Sequence, residues 1–546
     1  MNNNDLANLL YPNITKTIAD LEKEFKNRNL CDGSKVTRFA PSPTGRVHMG
    51  NLYASFIPEV IARESNGVFI LRIEDTDSKR AIANGIELIL EDLKHYDYKI
   101  DEDPISGGNY GPYIQTKRKE IYHIVAKYLV SIGRAYPCFC KEDELDELRD
   151  KQKRRKERIG YYGKYAKCRK LSYEEIKNKI ENGESWVLRL KSNGDFNKTI
   201  IFNDLVKGRI ELPENDIDQV LVKSDGIPPY ALAHVCDDHF MRVTTVTRDD
   251  SYISSVPFHL ELWDACGFKT PEFAHLLPLN IKDGETIRKI SKRKDPEAAV
   301  SFYHKRGIPV EAVKLYFASI MNSNFEEWFL LNPNKSYKEF HFTFDKMSKS
   351  GPIFDLNKLI SISKNYLSRL TAKEVYSNLL EWAKEYDKDF YDLIYKYKDY
   401  TISILNIERE VEKPRKDFSS YSEIKDYIWY MYDELFFDEN FNAGYDFIRN
   451  NDDMNLIVKE YFNIYYDIND DKDTWFEKMK KACEDFGYSS SVKEYKKDPS
   501  KYKGSIIDFS MAIRVGVTSK IATPDLYEIL RLLGISKIIK RVNYIK

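Results

Sequence analysis

The residues best suited to chemistry in this sequence lie between an apolar strand and a helix. Residues 36–40 have the pattern of a strand, a Pro- and Gly-rich turn follows, and residues 52–63 have helical spacing. His48, Gly50 and Asn51 therefore fall at the N-terminus of the helix. Unpaired backbone N–H groups and the positive end of the helix dipole favour a polyphosphate there, Gly50 permits its close approach, and His48 adds a donor. The run predicts a phosphate-binding site, although it lacks the P-loop pattern.

The same run resembles the class I aminoacyl-tRNA synthetases. His48-Met-Gly-Asn51 stands at the family's His-Ile-Gly-His signature, and Arg38-Phe-Ala-Pro-Ser-Pro-Thr-Gly45 resembles the glutamyl-specific members. Asn51 replaces the second histidine of the signature. An amide donates hydrogen bonds to phosphate but carries no charge, so nucleotide affinity or rate is the quantity that this change affects. From the residues alone, His48 could instead only cap the helix.

The resemblance also implies an amino-acid pocket. An enzyme that activates an acidic amino acid must neutralise two carboxylates and one ammonium, which calls for arginine and an acid. By resemblance to glutamyl-tRNA synthetases, the residues that bind glutamate are Arg38, Ala40, Ser42, Glu74, Tyr230, His234 and Arg248. The family usually has Asn at the position of His234, whereas histidine titrates near neutrality. The acids could instead form metal sites, with Glu74, Asp75 and Asp77 in one and Asp237, Asp238 and His239 in another.

Two stretches compete for the second signature of the class, Lys-Met-Ser-Lys-Ser, whose lysines stabilise charge on the phosphates of ATP. Lys346-Met-Ser-Lys-Ser350 matches every letter, and Lys289-Ile-Ser-Lys-Arg293 matches with two changes. Position favours the earlier stretch, because it closes the second α/β half of the sequence. The resemblance then assigns ATP binding to His48, Gly50, Asn51, Lys289, Ser291 and Lys292, with His48, Lys289 and Lys292 catalytic.

The reaction implied by the resemblance needs no protein nucleophile. The glutamate α-carboxylate attacks the α-phosphorus of ATP, which arrives with Mg²⁺, and the glutamyl-adenylate then passes its acyl group to tRNA(Glu). Positioning and electrostatic stabilisation supply the catalysis. The resemblance also implies that tRNA binds before glutamate is activated, and it leaves open whether tRNA(Gln) is charged as well.

Composition is that of a multidomain protein without a membrane partner. The chain has 546 residues, of which 42% are hydrophobic and 31% charged, and a net charge of −1. Seven cysteines without regular pairing, a polar start and the lack of an apolar run of membrane length favour a reducing cytoplasm. The near-zero net charge predicts that any RNA surface is local.

A cysteine group inside the middle of the chain resembles the zinc site of some glutamyl-tRNA synthetases. The implied ligands are Cys138, Cys140 and Cys168, with Tyr165 as a fourth. A closed zinc site needs four ligands, and the tyrosine does not stand at the family's usual spacing. Three buried thiols without a metal are the alternative.

A basic run at 151–170 is the strongest local signal for RNA. It contains ten Lys/Arg and one Glu, with Tyr161, Tyr162 and Tyr165 interleaved. Cations and aromatic faces suit single-stranded RNA, and in this family the corresponding insertion meets the acceptor end of tRNA. A solvated helix face is the alternative interpretation.

The order of predicted elements indicates a Rossmann-like α/β catalytic domain with an α+β insertion, followed by an all-α stem-contact and anticodon-binding region. The predicted divisions are a helical N-terminal extension at 1–34, the first catalytic half at 35–110, the acceptor-end insertion at 111–217, the second catalytic half at 218–300, a stem-contact region at 301–370 and an anticodon-binding region at 371–546. The extension could be a tail or a brace. A monomer is the family expectation.

Two other functions stay open at this point. A weakened paralogue that binds tRNA without charging it is suggested by Asn51, His234 and the acids at 249–250, where the family usually has a small residue first. A small-molecule nucleotidyltransferase of the same superfamily would not need the long helical C-terminal half. That helical half also favours the glutamyl over the glutaminyl enzymes, which carry β-barrels there.

Overall fold

We describe the chain from a computed structural model, for residues 2–76, 82–291, 294–348, 351–438 and 452–544. No helix in these ranges combines the length and the apolar composition needed to cross a membrane.

The chain divides into two compact units. The first comprises Met1–Phe302 and Lys314–Leu356, and the second comprises Tyr303–Val313 and Asn357–Lys546. All described strands belong to the first unit, whereas the second is helical. The mixed α/β first part and the helical remainder agree with the predicted class, and the six finer domain bounds stay predictions.

Eleven strands are described, all short. They are β1 Val36–Phe39, β2 Val68–Leu71, β3 Ala135–Cys138, β4 Val187–Leu190, β5 Thr199–Asp204, β6 Gly208–Pro213, β7 Val220–Val222, β8 Thr245–Asp249, β9 Glu272–Leu276, β10 Asn280–Asp283 and β11 Thr286–Lys289.

Parallel strands from two distant parts of the sequence lie side by side. β1 pairs with β2 and β8 pairs with β9, both parallel. The Thr244 N–H donates to the Val36 carbonyl at 2.9 Å and so joins the two pairs. Because β1 is buried along its whole length, its side chains are apolar or internally bonded. The carboxyl ends of these strands meet at one edge, where a ligand site is expected in such sheets.

Two pairings cross the predicted boundary of the insertion at residue 217. The β5–β6 hairpin extends the β8–β9 pair into a four-stranded sheet through Asp204, which pairs with Phe273 of β9. β7 pairs instead with β4, in the antiparallel sheet β3-β4-β7. Strand β8 begins only at Thr245, because the preceding helix runs to Phe240 and Arg242 adopts a left-handed φ of 60° that changes the chain direction.

The described helices are numbered in chain order. They are α1 Asn3–Leu10, α2 Ile18–Glu24, α3 Met49–Glu64, α4 Gly85–His95, α5 Lys119–Ser131, α6 Glu142–Arg154, α7 Tyr173–Glu181, α8 Tyr230–Phe240, α9 Val256–Cys266, α10 Val300–Arg306, α11 Val310–Met321, α12 Phe325–Leu331, α13 Leu356–Arg369, α14 Ala372–Tyr386, α15 Lys388–Lys396, α16 Lys398–Asn406, α17 Tyr421–Ile428, α18 Asp433–Phe436, α19 Asp452–Glu460, α20 Lys472–Asp485, α21 Val492–Lys497, α22 Ile506–Thr518 and α23 Leu526–Tyr544.

The N-terminal extension is a brace rather than a tail. α1 packs on α5, and the Lys127 ammonium donates to the Ile14 carbonyl at 2.7 Å. Arg28 forms a two-fold ion pair with Glu102, at 2.7 and 2.8 Å, with both side chains nearly buried. Glu102 forms a parallel bridge with Ile70 of β2, so this two-fold ion pair holds the extension against the β1–β2 pair.

The second unit buries an aromatic-rich core. Thr371 and Glu374 form a capping box that starts α14, and Leu379 and Trp475 lie in the core. Amphipathic helices of this kind are stabilised mainly by the burial of one apolar face.

Candidate active site

The N-terminus of α3 has the geometry that the sequence predicts. His48 is the N-cap residue, and its Nδ1 accepts the Asn51 backbone N–H at 3.1 Å. In a neutral ring the proton then lies on Nε2, which can donate to a phosphate oxygen. A Cβ at Gly50 would lie 3.1 Å from two atoms of the His48 ring, so a side chain there would displace the histidine. His48 is thus a helix cap and a potential phosphate donor at once.

A cavity of about 310 Å³ begins at this helix and extends along the carboxyl ends of β1 and β8. The predicted site residues that line it are Arg38, Ala40, Ser42, His48, Gly50, Asn51, Glu74, Tyr230, Arg248 and Lys289. The structure therefore brings the predicted phosphate and amino-acid groups into one pocket. His234 and Ser291 do not line the cavity, and Lys292 lies outside the described residues.

Two arginines and two acids form a buried network at the floor of the cavity. Asp238 accepts Arg38 Nε at 3.1 Å and Arg72 Nη1 at 2.6 Å, and Arg72 also donates to Glu74 at 3.2 Å. Burial alone would raise the pKa of Asp238, but Arg38 and Arg72 outweigh it and hold the pKa well below its usual range. Burial raises the pKa of Glu74, partly offset by Arg72. A cationic ligand group beside Glu74 would favour its ionised form.

These contacts argue against the metal-site alternatives for the two acid clusters. Asp237 accepts Arg118 Nε at 2.6 Å, and Asp238 is paired with arginines. Asp75 accepts the N–H of Thr116 at 2.9 Å, and Asp77 lies outside the described residues. The acids already have cationic or donor partners, which a metal ion would have to displace.

His234 lies beneath the pocket instead of lining it. Its Nδ1 bonds to Asp238 at 2.6 Å, and its ring stacks on Tyr230 with centroids 5.1 Å apart. Burial, partly offset by Asp238, lowers its pKa to about 4, so the ring is neutral near pH 7. His234 does not line the cavity, contrary to its predicted place among the glutamate-binding residues. Its ring instead supports Tyr230, which does line the cavity.

Arg248 is held by two histidines that the sequence analysis did not identify. Its Nε donates to His275 at 3.0 Å and its Nη1 to His259 at 3.1 Å. Tyr252, also missed, lies across the guanidinium at 5.4 Å and lines the cavity. Nothing in the sequence but a place near β8 marks these residues: His275 lies in β9, His259 in α9 and Tyr252 in the short 3₁₀ helix Asp250–Ser255.

Of the two competing lysine stretches, the earlier one reaches the cavity. Lys289 ends β11, lines the cavity, and forms an ion pair with Asp249 at 2.9 Å. Lys346, half-exposed beside Asp345, is not among the lining residues. Lys349 and Ser350 of the later stretch lie outside the described residues.

The three cysteines of the predicted zinc site cluster within the insertion. Their sulfur atoms all lie within 4.8 Å of one another, and Cys140 and Cys168 are 3.7 Å apart. Tyr161, not Tyr165, presents its hydroxyl to the group, 3.3 Å from the Cys140 sulfur. The Tyr165 hydroxyl donates to Glu157 instead.

The basic run at 151–170 is only partly available to RNA. Half of its ten cations form ion pairs, namely Lys153, Arg158, Lys164, Lys167 and Arg169. Arg154, Arg155 and Lys156 are exposed at the end of α6. Tyr161 and Tyr165, predicted to stack on bases, are both buried, and their hydroxyls form hydrogen bonds inside the insertion. The ring faces of these two residues are therefore not available to stack on bases, contrary to what the sequence predicts.

Comparison with known proteins agrees with this arrangement. The family model described as tRNA synthetases class I (E and Q), catalytic domain, matches residues 35–360. The chain is 45% identical over 545 residues to a protein of Acetivibrio thermocellus named glutamate–tRNA ligase, with 98% of each chain covered. It is 41% identical to a Clostridium perfringens protein of the same name, covering 99% of this chain and all of that one. A crystal structure of a glutamate tRNA ligase from Elizabethkingia meningosepticum in complex with its amino acid shares the fold, with a TM-score of 0.74 at 24% identity over 94% of this chain and 99% of that one.

Proposed function

This chain belongs to the class I tRNA synthetases for glutamate and glutamine, and on that premise we propose how its own residues carry out the reaction. The enzyme attaches L-glutamate to tRNA with ATP, through glutamyl-adenylate, and releases AMP and pyrophosphate. One observation carries the assignment of residues: a single cavity joins the N-terminus of α3, two buried arginines, the acids Glu74 and Asp249, and Lys289.

We assign the amino-acid half of the cavity to the side chains at the ends of β1 and β8. Glu74 receives the α-ammonium of glutamate, because it is the acid of the cavity floor and a cation there would offset the rise in its pKa caused by burial. Arg248 receives the side-chain carboxylate, since the described residues offer its guanidinium no carboxylate. Tyr230, Ala40 and Ser42 complete the walls.

The phosphate half lies at the N-terminus of α3. Backbone N–H groups and the Nε2 of His48 bind phosphate oxygens, and Gly50 keeps the approach open. Mg²⁺ would arrive as part of the ATP substrate and would offset part of the negative charge of its phosphates. Lys289 and, by family resemblance, Lys292 stabilise the charge that develops on the pyrophosphate as it leaves.

In the first step the glutamate α-carboxylate oxygen attacks the α-phosphorus, and the bond to the bridging oxygen of pyrophosphate breaks. In the second, the terminal ribose hydroxyl of tRNA attacks the carbonyl carbon of the adenylate and AMP leaves with its bonding electrons. Neither step uses a protein nucleophile, so positioning and charge stabilisation account for the rate.

We propose that the cysteine cluster holds one Zn²⁺ through Cys138, Cys140, Cys168 and the Tyr161 oxygen. Zinc–sulfur bonds of about 2.3 Å in a tetrahedron place sulfur atoms about 3.8 Å apart, and Cys140 and Cys168 are 3.7 Å apart. The donor set suits zinc, and Tyr161 takes the place predicted for Tyr165. The bound zinc ion would stabilise the fold of the insertion.

We further propose that the acceptor end of tRNA(Glu) meets the exposed cations at 154–156, and that the helical second unit reads the anticodon. Whether tRNA(Gln) also binds is part of the test below. A monomer and a cytoplasmic location, where cysteines stay reduced and form no disulfides, follow the family expectation.

The test is the attachment of labelled glutamate to purified tRNA(Glu) and tRNA(Gln). Lys289→Ala and Lys292→Ala should each lower kcat roughly 10²- to 10³-fold, as loss of a transition-state contact does. Lys346→Ala is the matched control and should stay within about threefold of the parent.

Two outcomes would change the assignment. If Lys346→Ala is impaired and Lys289→Ala is not, the later stretch is the catalytic loop. If the parent binds tRNA but attaches no glutamate, the chain is an RNA-binding paralogue. Charging of both tRNAs would show that the anticodon region accepts the two.

A further inference from the structure

Arg248 differs from three other buried arginines of the first unit in what holds it. Arg38, Arg72 and Arg118 each pair with an aspartate at 3.1 Å or less. In the part of the chain that the structure describes, no carboxylate oxygen lies within 4 Å of Arg248, whose side chain bonds to His275 Nε2 at 3.0 Å and to His259 Nδ1 at 3.1 Å. Its partners are therefore ring nitrogens and carry no negative charge.

The hydrogen bonds fix the protonation of both rings. An arginine only donates, so each contacting nitrogen must offer a lone pair. His275 Nδ1 lies 2.6 Å from a carboxylate oxygen of Asp204, which accepts its proton and leaves Nε2 unprotonated. Asp204 is itself held by the backbone N–H groups of Val206 and Lys207 at 3.0 and 2.9 Å. Burial lowers the pKa of both histidines, which agrees with neutral rings.

The consequence is a guanidinium whose direction is fixed while its charge is left unbalanced. Its Nη2 is buried without a hydrogen-bond partner among the described residues, and Arg248 lines the cavity. A buried charge without a counter-charge is unfavourable, so the site gains most from an anionic ligand group. A carboxylate in place of either histidine would orient the arginine equally well but would cancel the charge that the ligand needs.

We propose that His259 and His275 are positioning residues that aim Arg248 at the side-chain carboxylate of the amino acid through neutral acceptor nitrogens, so that the pocket discriminates in favour of an anionic side chain. The inference rests on the proposed role of Arg248. It adds that selection between glutamate and an uncharged analogue such as glutamine depends on two histidines that need not touch the ligand.

The test compares four variants in the aminoacylation reaction. His259→Phe and His275→Phe keep an aromatic ring in its packing but remove the acceptor, whereas His259→Asn returns an acceptor oxygen near the place of Nδ1. Since a hydrogen bond to a charged group is being lost, both Phe variants should raise KM for glutamate about tenfold to a hundredfold and lower the glutamate-to-glutamine ratio of kcat/KM. KM for ATP and kcat at saturating glutamate should change less than about threefold, and His259→Asn should recover most of the loss.

The remaining variant, Arg248→Lys, separates the role of the arginine from the role of the two histidines. If it leaves KM for glutamate unchanged, the proposed role of Arg248 is wrong. If it raises that KM while the folded Phe variants do not, only the positioning role fails. An equal rise in the KM values of ATP and glutamate, or a His259→Asn variant as impaired as His259→Phe, would show that the rings act by packing alone. Either Phe variant decides the question if the other does not fold.

Discussion

Replacing His234 by Asn should make the first unit less sensitive to acid. The His234 ring is fully buried, and burial lowers its pKa from 6.5 to about 4. The unfolded chain therefore takes up a proton at this residue below pH 6.5, while the folded chain does so only near pH 4. Stability from this group is present above pH 6.5 and is lost as the pH falls from 6.5 to about 4.

The expected magnitude follows from those two values. Between pH 7 and pH 5, the difference in proton uptake lowers the free energy of unfolding by about 2 kcal/mol. Asp238, which faces the ring, adds a loss of the same sign at lower pH because its pKa is held below its usual range. Asn keeps a donor for Asp238 but has no proton to take up. His234→Asn should thus lose about 2 kcal/mol less than the parent over this range, although it starts lower at pH 7 because a stacked ring is gone.

The measurement can be confined to the relevant helix. Cys236 is fully buried on α8, two residues from His234. The thiol is labelled with an aromatic disulfide that reacts at both pH values, over a series of urea concentrations. Mass spectrometry identifies the label on Cys236, and its extent reports the unfolding of α8. Other histidines of the unit titrate in both proteins, so their contribution cancels in the comparison.

The control is His341→Asn, at a histidine whose side chain is 83% exposed. It should show the same loss between pH 7 and pH 5 as the parent. If His234→Asn also loses as much stability as the parent, the ring is not held neutral by its burial, and the reasoning is refuted.

Four further outcomes are expected. Gly50→Ala should raise KM for ATP about tenfold and leave KM for glutamate unchanged, because its Cβ would crowd the ring of the N-cap histidine; an unchanged KM for ATP would remove this helix end from the phosphate site. Asp249→Ala should lower KM for ATP roughly threefold, with the gain shrinking as ionic strength rises, since it frees the lysine of the cavity; a rise would mean that the pair positions the lysine. Cys140→Ser should reduce bound zinc, measured by elemental analysis, from about one atom per chain to a small fraction, whereas the exposed Cys31→Ser should retain it; a parent without zinc refutes the metal site. Arg28→Ala should destabilise the first unit by about 3 kcal/mol in urea unfolding, as loss of one partner of a buried pair does; a change below about 1 kcal/mol would make the brace dispensable.

The sequence was most informative where chemistry and local structure coincide. The cap at His48 and the turn before it are properties of a few neighbouring residues, so the helix N-terminus and its small Gly50 could be predicted together. The strand before it and the acid at Glu74 follow from short apolar runs in the same way. The prediction that these groups share one pocket depended on resemblance, and in the structure ten of the predicted residues line one cavity.

What the sequence could not provide were contacts between distant segments. The Asp204–His275 bond joins residues 71 apart, and Asp204 stands in a hairpin that had been assigned to the insertion. The choice between Tyr161 and Tyr165 depends on two short 3₁₀ turns that place one hydroxyl on the thiols and send the other to Glu157. Side-chain periodicity does not register such turns.

The brace and the pocket also constrain how the chain can be made. Glu22 bonds to Arg242, and Arg38 bonds to Asp238, so groups near the start of the sequence wait for partners 220 and 200 residues later. The ribosome releases the N-terminus first, so β1 and Arg38 emerge long before α8, which carries the aspartate that pairs with this arginine. The nascent first unit therefore carries an exposed apolar strand and an unpaired charge while the next 200 residues are synthesised. Variants that weaken α8 should for this reason reduce the yield of folded enzyme during translation more than they reduce the stability of the finished protein.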